Sequence, residues 1–124
     1  IDAYLNAPGG APEMIVNTIA GCGAMLREYD TLLRDDPHYA EKARQFVARV
    51  RDISEALETL GLPEMPHRVE RSVTYHDACH LAHAQRITLG PRKLLGQVPG
   101  LRLVALPESD MCCGAAGTYN LTQP

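Results

Sequence analysis

Long apolar runs are missing from this chain; they last only a few positions, as from Leu103 to Leu106. A membrane-spanning helix needs about 20 such residues in a row, so a transmembrane segment is excluded. Basic charge is not in excess either. Twelve Lys and Arg against fifteen Asp and Glu leave a net charge of −3, so no basic field marks a surface for nucleic acid. The opening residues do not follow the charged, apolar, small-residue order of a secretory leader, and nothing there marks the chain for export. Cysteine is scarce, with 4 in 124 residues. Without a secretion signal, so few thiols favour metal binding or redox chemistry over a disulfide framework. The plain alternative is four buried thiols acting as small hydrophobes. Neither an internal repeat nor a low-complexity segment is present, and a hydrophobic content of 45% is ordinary for one globular domain.

What is present gathers near the C-terminus, in Met111-Cys112-Cys113-Gly114-Ala115-Ala116-Gly117. Successive side chains on an extended backbone point to opposite faces, so two adjacent sulfurs reach one site only where the chain turns sharply. Gly114 supplies the freedom for that turn. Ala115, Ala116 and Gly117 are small enough for a bulky group to lie against the backbone. The pair therefore forms a platform of soft ligands. Gly114 to Gly117 is not a dinucleotide fingerprint, because it follows cysteines and lacks the Gly-x-Gly-x-x-Gly register.

Elsewhere strands alternate with helices. A helix over residues 1–5 is broken by Pro8-Gly9-Gly10, and residues 14–19 form a short β-branched strand suited to burial on both faces. Met25, Leu26, Tyr29, Leu32 and Leu33 recur at helical spacing, and Pro37 opens a further helix. Phe46, Val47, Val50, Ile53, Leu57 and Leu60 form one helical stripe, in which Asp52 or Ser54 can start a fresh helix and Gly61 ends it. The charged residues from Glu41 to Glu58 form a solvated face. Residues 72–76 and 101–106 predict two more strands, Asp77 caps a helix around Cys79, and Pro91 begins the last helix before Pro99-Gly100. This is an α/β layer: a short, mostly parallel sheet with flanking helices.

Each of the three expected strands leads within a few residues to cysteine: 14–19 to Cys22, 72–76 to Cys79, and 101–106 to Cys112 and Cys113. In one parallel sheet those turns would share the carboxyl edge, where open α/β folds bind ligands. Helix N-termini at that edge stabilise thiolates and other anions. An iron–sulfur cluster is such an anion.

The spacing from Cys79 to Cys112-Cys113-Gly114 resembles the CCG-type cysteine-rich domain of heterodisulfide reductases and related electron-transfer proteins. His76-Asp77-Ala78-Cys79-His80-Leu81, Pro99-Gly100-Leu101 and the run from Leu106 to Asn120 are similar to the iron–sulfur subunit of glycolate oxidase, as are Asn17 and Ala20 to Tyr29. The resemblance implies a piece of a longer chain, a single α/β unit in which 1–62 ends a first cysteine-rich module and 63–124 starts a second. It implies electron transfer through a cluster, of [4Fe-4S] type in the full-length protein, held by Cys79, Cys112 and Cys113, with Cys22 at a separate centre. This piece holds an incomplete ligand set, since a late cysteine of the second module would lie beyond Pro124. Cys22-Gly23-Ala24-Met25 departs from the fuller Cys-x-x-Cys pattern, which weakens a specialised five-cysteine cluster. The implied partners are flavin-containing dehydrogenase subunits that oxidise a 2-hydroxy acid. The implied location is cytoplasmic, with attachment to the inner membrane face only through partners.

Two other readings stay open. His76, Cys79, His80 and His83, with Cys112 or Cys113, could hold structural zinc, with His80 the candidate ligand to watch. Alternatively, Cys112 and Cys113 could respond to oxidation without metal, in a thiol-redox or scaffold domain. Tyr75, Tyr119 and Asn120 are read as packing and helix-end residues.

Overall fold

The structure, a computed structural model, describes residues 1–112, Gly114 and Thr122. Among these residues two short parallel sheets are flanked by helices. The first half opens with α1 (Asp2–Leu5), followed by β1 (Ile15–Asn17). Asn17 closes that strand by accepting the Ile19 N–H at 2.8 Å on its own side-chain oxygen, a local turn that starts α2 (Ala20–Arg27). Short α3 (Tyr29–Leu32) and then α4 (Ala40–Val47) follow. Ahead of α4, Asp36 accepts the backbone N–H of His38 at 2.8 Å and of Tyr39 at 3.0 Å. The helix expected at Pro37 therefore waits until that Asx turn is complete.

β2 (Val50–Asp52) pairs parallel with β1, Ile15 opposite Val50 and Asn17 opposite Asp52. Asp52 then caps α5 (Ile53–Leu60), with Glu55 reaching back to complete a capping box. Gly61 ends the helix at a φ of +80°, where other residues would be strained. A core of Tyr4, Phe46 and Val50 lies beneath β1 and β2, with Ile1, Leu5, Ile15, Leu26, Tyr29 and Val47 packed around it. Phe46 meets Tyr4 edge-on and stacks on Tyr29, each at 5.6 Å between ring centres. Burying such a ring contributes about 1.5–3 kcal/mol.

The second half is a strand–helix–strand unit. β3 (Arg71–Val73) leads to a π-helical turn (His80–Ala84) and to α6 (Leu89–Gly96), and β4 (Leu101–Leu103) returns parallel to β3. A parallel return needs such a crossover, because a tight hairpin can only reverse the chain. α5 packs on α6, and α2 packs on the π-helical turn, so the two halves touch along both helix pairs.

Several expectations are corrected. One three-stranded sheet is replaced by two sheets of two strands, and the additional strand, Val50–Asp52, lies inside the apolar stripe, just ahead of the fresh helix start that Asp52 or Ser54 allowed. The strands are also shorter than 14–19, 72–76 and 101–106. Val16 is 47% exposed, so β1 is not buried on both faces; a two-stranded sheet has too little area to be covered twice. The 25–33 pattern divides into α2 and α3, and Met25 and Leu32 face outward. α6 begins at Leu89, which puts Pro91 inside its first turn rather than at its start. The charged face from Glu41 to Glu58 is not wholly solvated, since Asp52 is buried in its capping role.

Candidate functional site

The cysteine-bearing segments leave the ends of the strands. Cys22 is in the first turn of α2, and its side chain is exposed. Cys79 precedes the π-helical turn and is half-buried, and Cys112 is exposed in the loop after β4. All three thiols are free. Gly114 has a φ of +72°, the left-handed turn expected of it. Cys113, Ala115, Ala116, Gly117, Tyr119 and Asn120 lie outside the described residues.

The loop that ends at Cys112 is tied to the segment that carries Cys79. The Asp77 backbone N–H donates to the Ser109 carbonyl at 2.7 Å. His76 donates through Nε2 to the Met111 carbonyl at 2.8 Å, and His83 through Nε2 to the Asp110 carbonyl at 3.0 Å. Glu108, at a φ of +55°, turns this loop, and the Met111 N–H donates back to its carbonyl at 3.0 Å. β3 and β4 are neighbours running the same way, so both turns leave the same edge of that sheet.

Asp77 is not the helix cap expected of it. The residue is 4% exposed, and its carboxylate accepts from the Arg92 guanidinium twice, Nη1 to Oδ1 and Nη2 to Oδ2, both at 2.6 Å. A bidentate charged fork outweighs a single bond to a helix N–H, so the side chain turns to Arg92. Ser109 Oγ donates to Asp77 Oδ2 at 3.2 Å and accepts from Arg92 Nη2 at 3.0 Å. Arg92 also lies 5.0 Å over the Tyr75 ring. The Arg92 guanidinium holds the Asp77 carboxyl below the usual aspartate range, and Asp77 in turn raises Arg92. Burial, then the Asp77 charge, push the Tyr75 phenol up.

The first turn of α2, which carries Cys22, approaches the π-helical turn from the other half. Gln85 is buried and donates its amide to the Ala20 carbonyl at 2.8 Å, while a Cβ on Gly21 would come 3.9 Å from His80 Nδ1. Exposed His80 turns Nδ1 to the Cys79 sulfur at 3.6 Å. Small residues at 20, 21, 23 and 24 let α2 come this close. Asp77, Arg92, Ser109 and Gln85 were not legible as site residues in the sequence. Asp77 and Ser109 stood out only within the runs that carry the family resemblance, Arg92 and Gln85 not at all, and nothing in one dimension pairs Asp77 with Arg92.

Thiols on turns are the right donors for a soft iron centre. Among the described residues, however, no group of three or more His, Cys, Asp or Glu is gathered closely enough to hold a metal ion. A cavity of about 580 Å³ between α5 and α6 is lined mainly by apolar side chains such as Leu57, Leu81 and Leu94, with Asp52 and Ser54 at its wall, and by none of the described cysteines. Among the described residues no helix is long and apolar enough to cross a membrane.

Residues 73–124 match the family model described as "Cysteine-rich domain", CCG. The chain is 39% identical over 124 residues to the "Glycolate oxidase iron-sulfur subunit" of Escherichia coli (strain K12), covering 100% of this chain and 30% of that protein. It is 39% identical over 113 residues to the "Probable glycolate oxidase iron-sulfur subunit" of Bacillus subtilis (strain 168), covering 90% and 26%. To "Lactate utilization protein A" of Halalkalibacterium halodurans it is 36% identical over 110 residues, covering 88% and 45%. The chain thus spans between a quarter and a half of the length of these relatives. No solved structure matches it at a significant level.

Proposed function

The chain carries a CCG cysteine-rich domain homologous to the iron–sulfur subunits of glycolate oxidase, and on that premise we propose that it is a non-catalytic, electron-carrying part of a flavin-dependent 2-hydroxy-acid oxidase or dehydrogenase. Residues 1–62 would end one cysteine-rich module and residues 63–124 begin the next. The ligands would be Cys79, Cys112 and Cys113, with Cys22 at a separate centre and the set completed by cysteines elsewhere in the longer protein. When bound, a [4Fe-4S]-type cluster supplies one-electron redox chemistry, which the protein tunes through burial and hydrogen bonds to sulfur. The partners would be flavin-containing subunits in the cytoplasm, with contact to the membrane only through them.

The observation that carries this reading is the set of three hydrogen bonds from Asp77, His76 and His83 to the carbonyls of Ser109, Met111 and Asp110. They hold the loop of Cys112 against the turn of Cys79, as a shared thiolate centre requires.

The test is metal analysis of the full-length protein purified anaerobically. Iron and acid-labile sulfide should appear in comparable amounts, and Cys79→Ser or Cys112→Ser should lower both by about the content of one cluster. Equimolar zinc without sulfide would establish the structural-metal role instead. A metal-free protein with a reversible thiol couple would establish the thiol-redox role.

A further inference from the structure

Three segments meet at one buried carboxylate. The stretch after β3 brings Asp77, the first turn of α6 brings Arg92, and the loop before Cys112 brings Ser109. Five hydrogen bonds close the junction: two from Arg92 to Asp77, one from Arg92 to Ser109, one from Ser109 to Asp77, and one from the Asp77 N–H to the Ser109 carbonyl. Arg92 is itself held from two sides. It donates to the Thr88 carbonyl at 2.8 Å and lies over the Tyr75 ring.

We propose that Asp77, Arg92 and Ser109 are positioning residues, a clamp that sets the separation and direction of the Cys79 and Cys112 thiols. The proposal rests on the reading that both cysteines serve one centre. Buried ion pairs seldom stabilise a fold better than well-packed apolar groups would. What a guanidinium–carboxylate fork adds is direction, since two parallel bonds fix an angle as well as a distance. Its placement makes that direction matter. Asp77 lies two residues before Cys79 and Ser109 three before Cys112, and each intervening residue spans at most about 3.6 Å. Such short arms transmit an error at the clamp almost undiminished to the sulfurs. The His76 and His83 bonds brace the same loop from either side, so the clamp acts on a segment with little slack.

The test uses the full-length protein with every cysteine except Cys79 and Cys112 replaced by serine. Its two thiols are cross-linked with dibromobimane, which fluoresces when both are alkylated. With the clamp intact, cross-linking should run about tenfold or more faster than in the urea-unfolded chain, because placement of reacting groups governs such rates. Arg92→Gln should remove most of that advantage. Arg92→Lys, which keeps the charge but loses the fork, should restore only part. Ser109→Ala preserves the ion pair and serves if Arg92→Gln fails to fold. Equal rates in the intact and variant proteins, with unchanged circular dichroism, would overturn the clamp. So would an intact-clamp rate no faster than that of the unfolded chain.

A second readout separates positioning from mere support. In iron-loaded full-length protein with its cysteines intact, Ser109→Ala should shift the midpoint potential and the paramagnetic line shape while iron content stays constant. Iron present with no change in cross-linking rate would sink the clamp and leave the proposed function standing. Iron absent from the parent protein would sink the proposed function, and the cross-linking rates would still decide the clamp.

Discussion

Asp2 and Tyr39 are distant in the chain, yet the phenol hydroxyl donates to the Asp2 carboxylate at 2.6 Å, and Lys42 Nζ approaches the same group at 3.4 Å. The contact ties α1 to the start of α4, above the ring cluster of Tyr4, Phe46 and Tyr29. The Tyr39 hydrogen bond holds the Asp2 carboxyl below its usual range, and the same bond raises the Tyr39 phenol. The two groups act at opposite ends of the pH scale. Asp2 releases its proton more readily in the folded chain, so its contribution is complete above the ordinary aspartate pKa and fades as pH falls through the folded value. Tyr39 keeps its proton more tightly when folded, so its contribution is complete below the ordinary phenol pKa and fades as pH rises through the folded value. Asp2 is exposed, Tyr39 is half-buried, and their contact lies open to solvent, which screens it, so the effect on stability is small. In a carboxyl NMR titration, Tyr39→Phe should move the Asp2 midpoint up toward the ordinary value. An unmoved midpoint would show that the bond does not form in solution.

At the level of elements, Asp52 governs the passage from β2 to α5. Its Oδ1 accepts the Ser54 N–H at 2.9 Å and the Ser54 hydroxyl at 2.6 Å, and Glu55 accepts the Asp52 N–H at 2.9 Å. Glu55 also pairs with Arg27, so the same capping box anchors α2. Asp52→Ala should cost about 1–2 kcal/mol in urea unfolding. Asp52→Asn should cost clearly less, because asparagine caps nearly as well. Equal losses would mean that the charge matters rather than the cap. This start was legible because a cap is written within a few residues. The strand before it was not. Val50 falls on the apolar helix stripe, and Val50–Asp52 becomes a strand because β1 lies alongside to pair with it.

Across the whole molecule, the two halves meet where α2 crosses the π-helical turn, and the crossing depends on what is absent from Gly23. A Cβ there would come within 2.8 Å of the Gln85 amide nitrogen and 3.2 Å of Asn17 Oδ1. Gln85 is buried and bound to the Ala20 carbonyl, so it has little room to retreat. Gly23→Ala should therefore destabilise by about 1–3 kcal/mol, as overpacked sites do. Gly21→Ala is the contrast. Its Cβ would meet His80 Nδ1 at an ordinary 3.9 Å, and removing a glycine from a helix gains up to about 1 kcal/mol. Urea unfolding of both variants measures the difference. A tolerated Gly23→Ala would show that the halves can separate without loss.

Sequence order alone was enough for the features whose causes are local. These include the turn at Gly114, a helix start at Asp52 or Ser54, the stop at Gly61, and the arrival of cysteine soon after strands 15–17, 71–73 and 101–103. Each depends on a few neighbouring residues and on backbone angles that those residues favour. Folding in space chose the pairings. It split one expected sheet into two, drew Asp77 away from a helix end to Arg92 and Ser109, and set Gln85 beneath α2. Those choices turn on which distant group arrives with the better geometry and the smaller desolvation penalty, a competition that no short stretch of residues records.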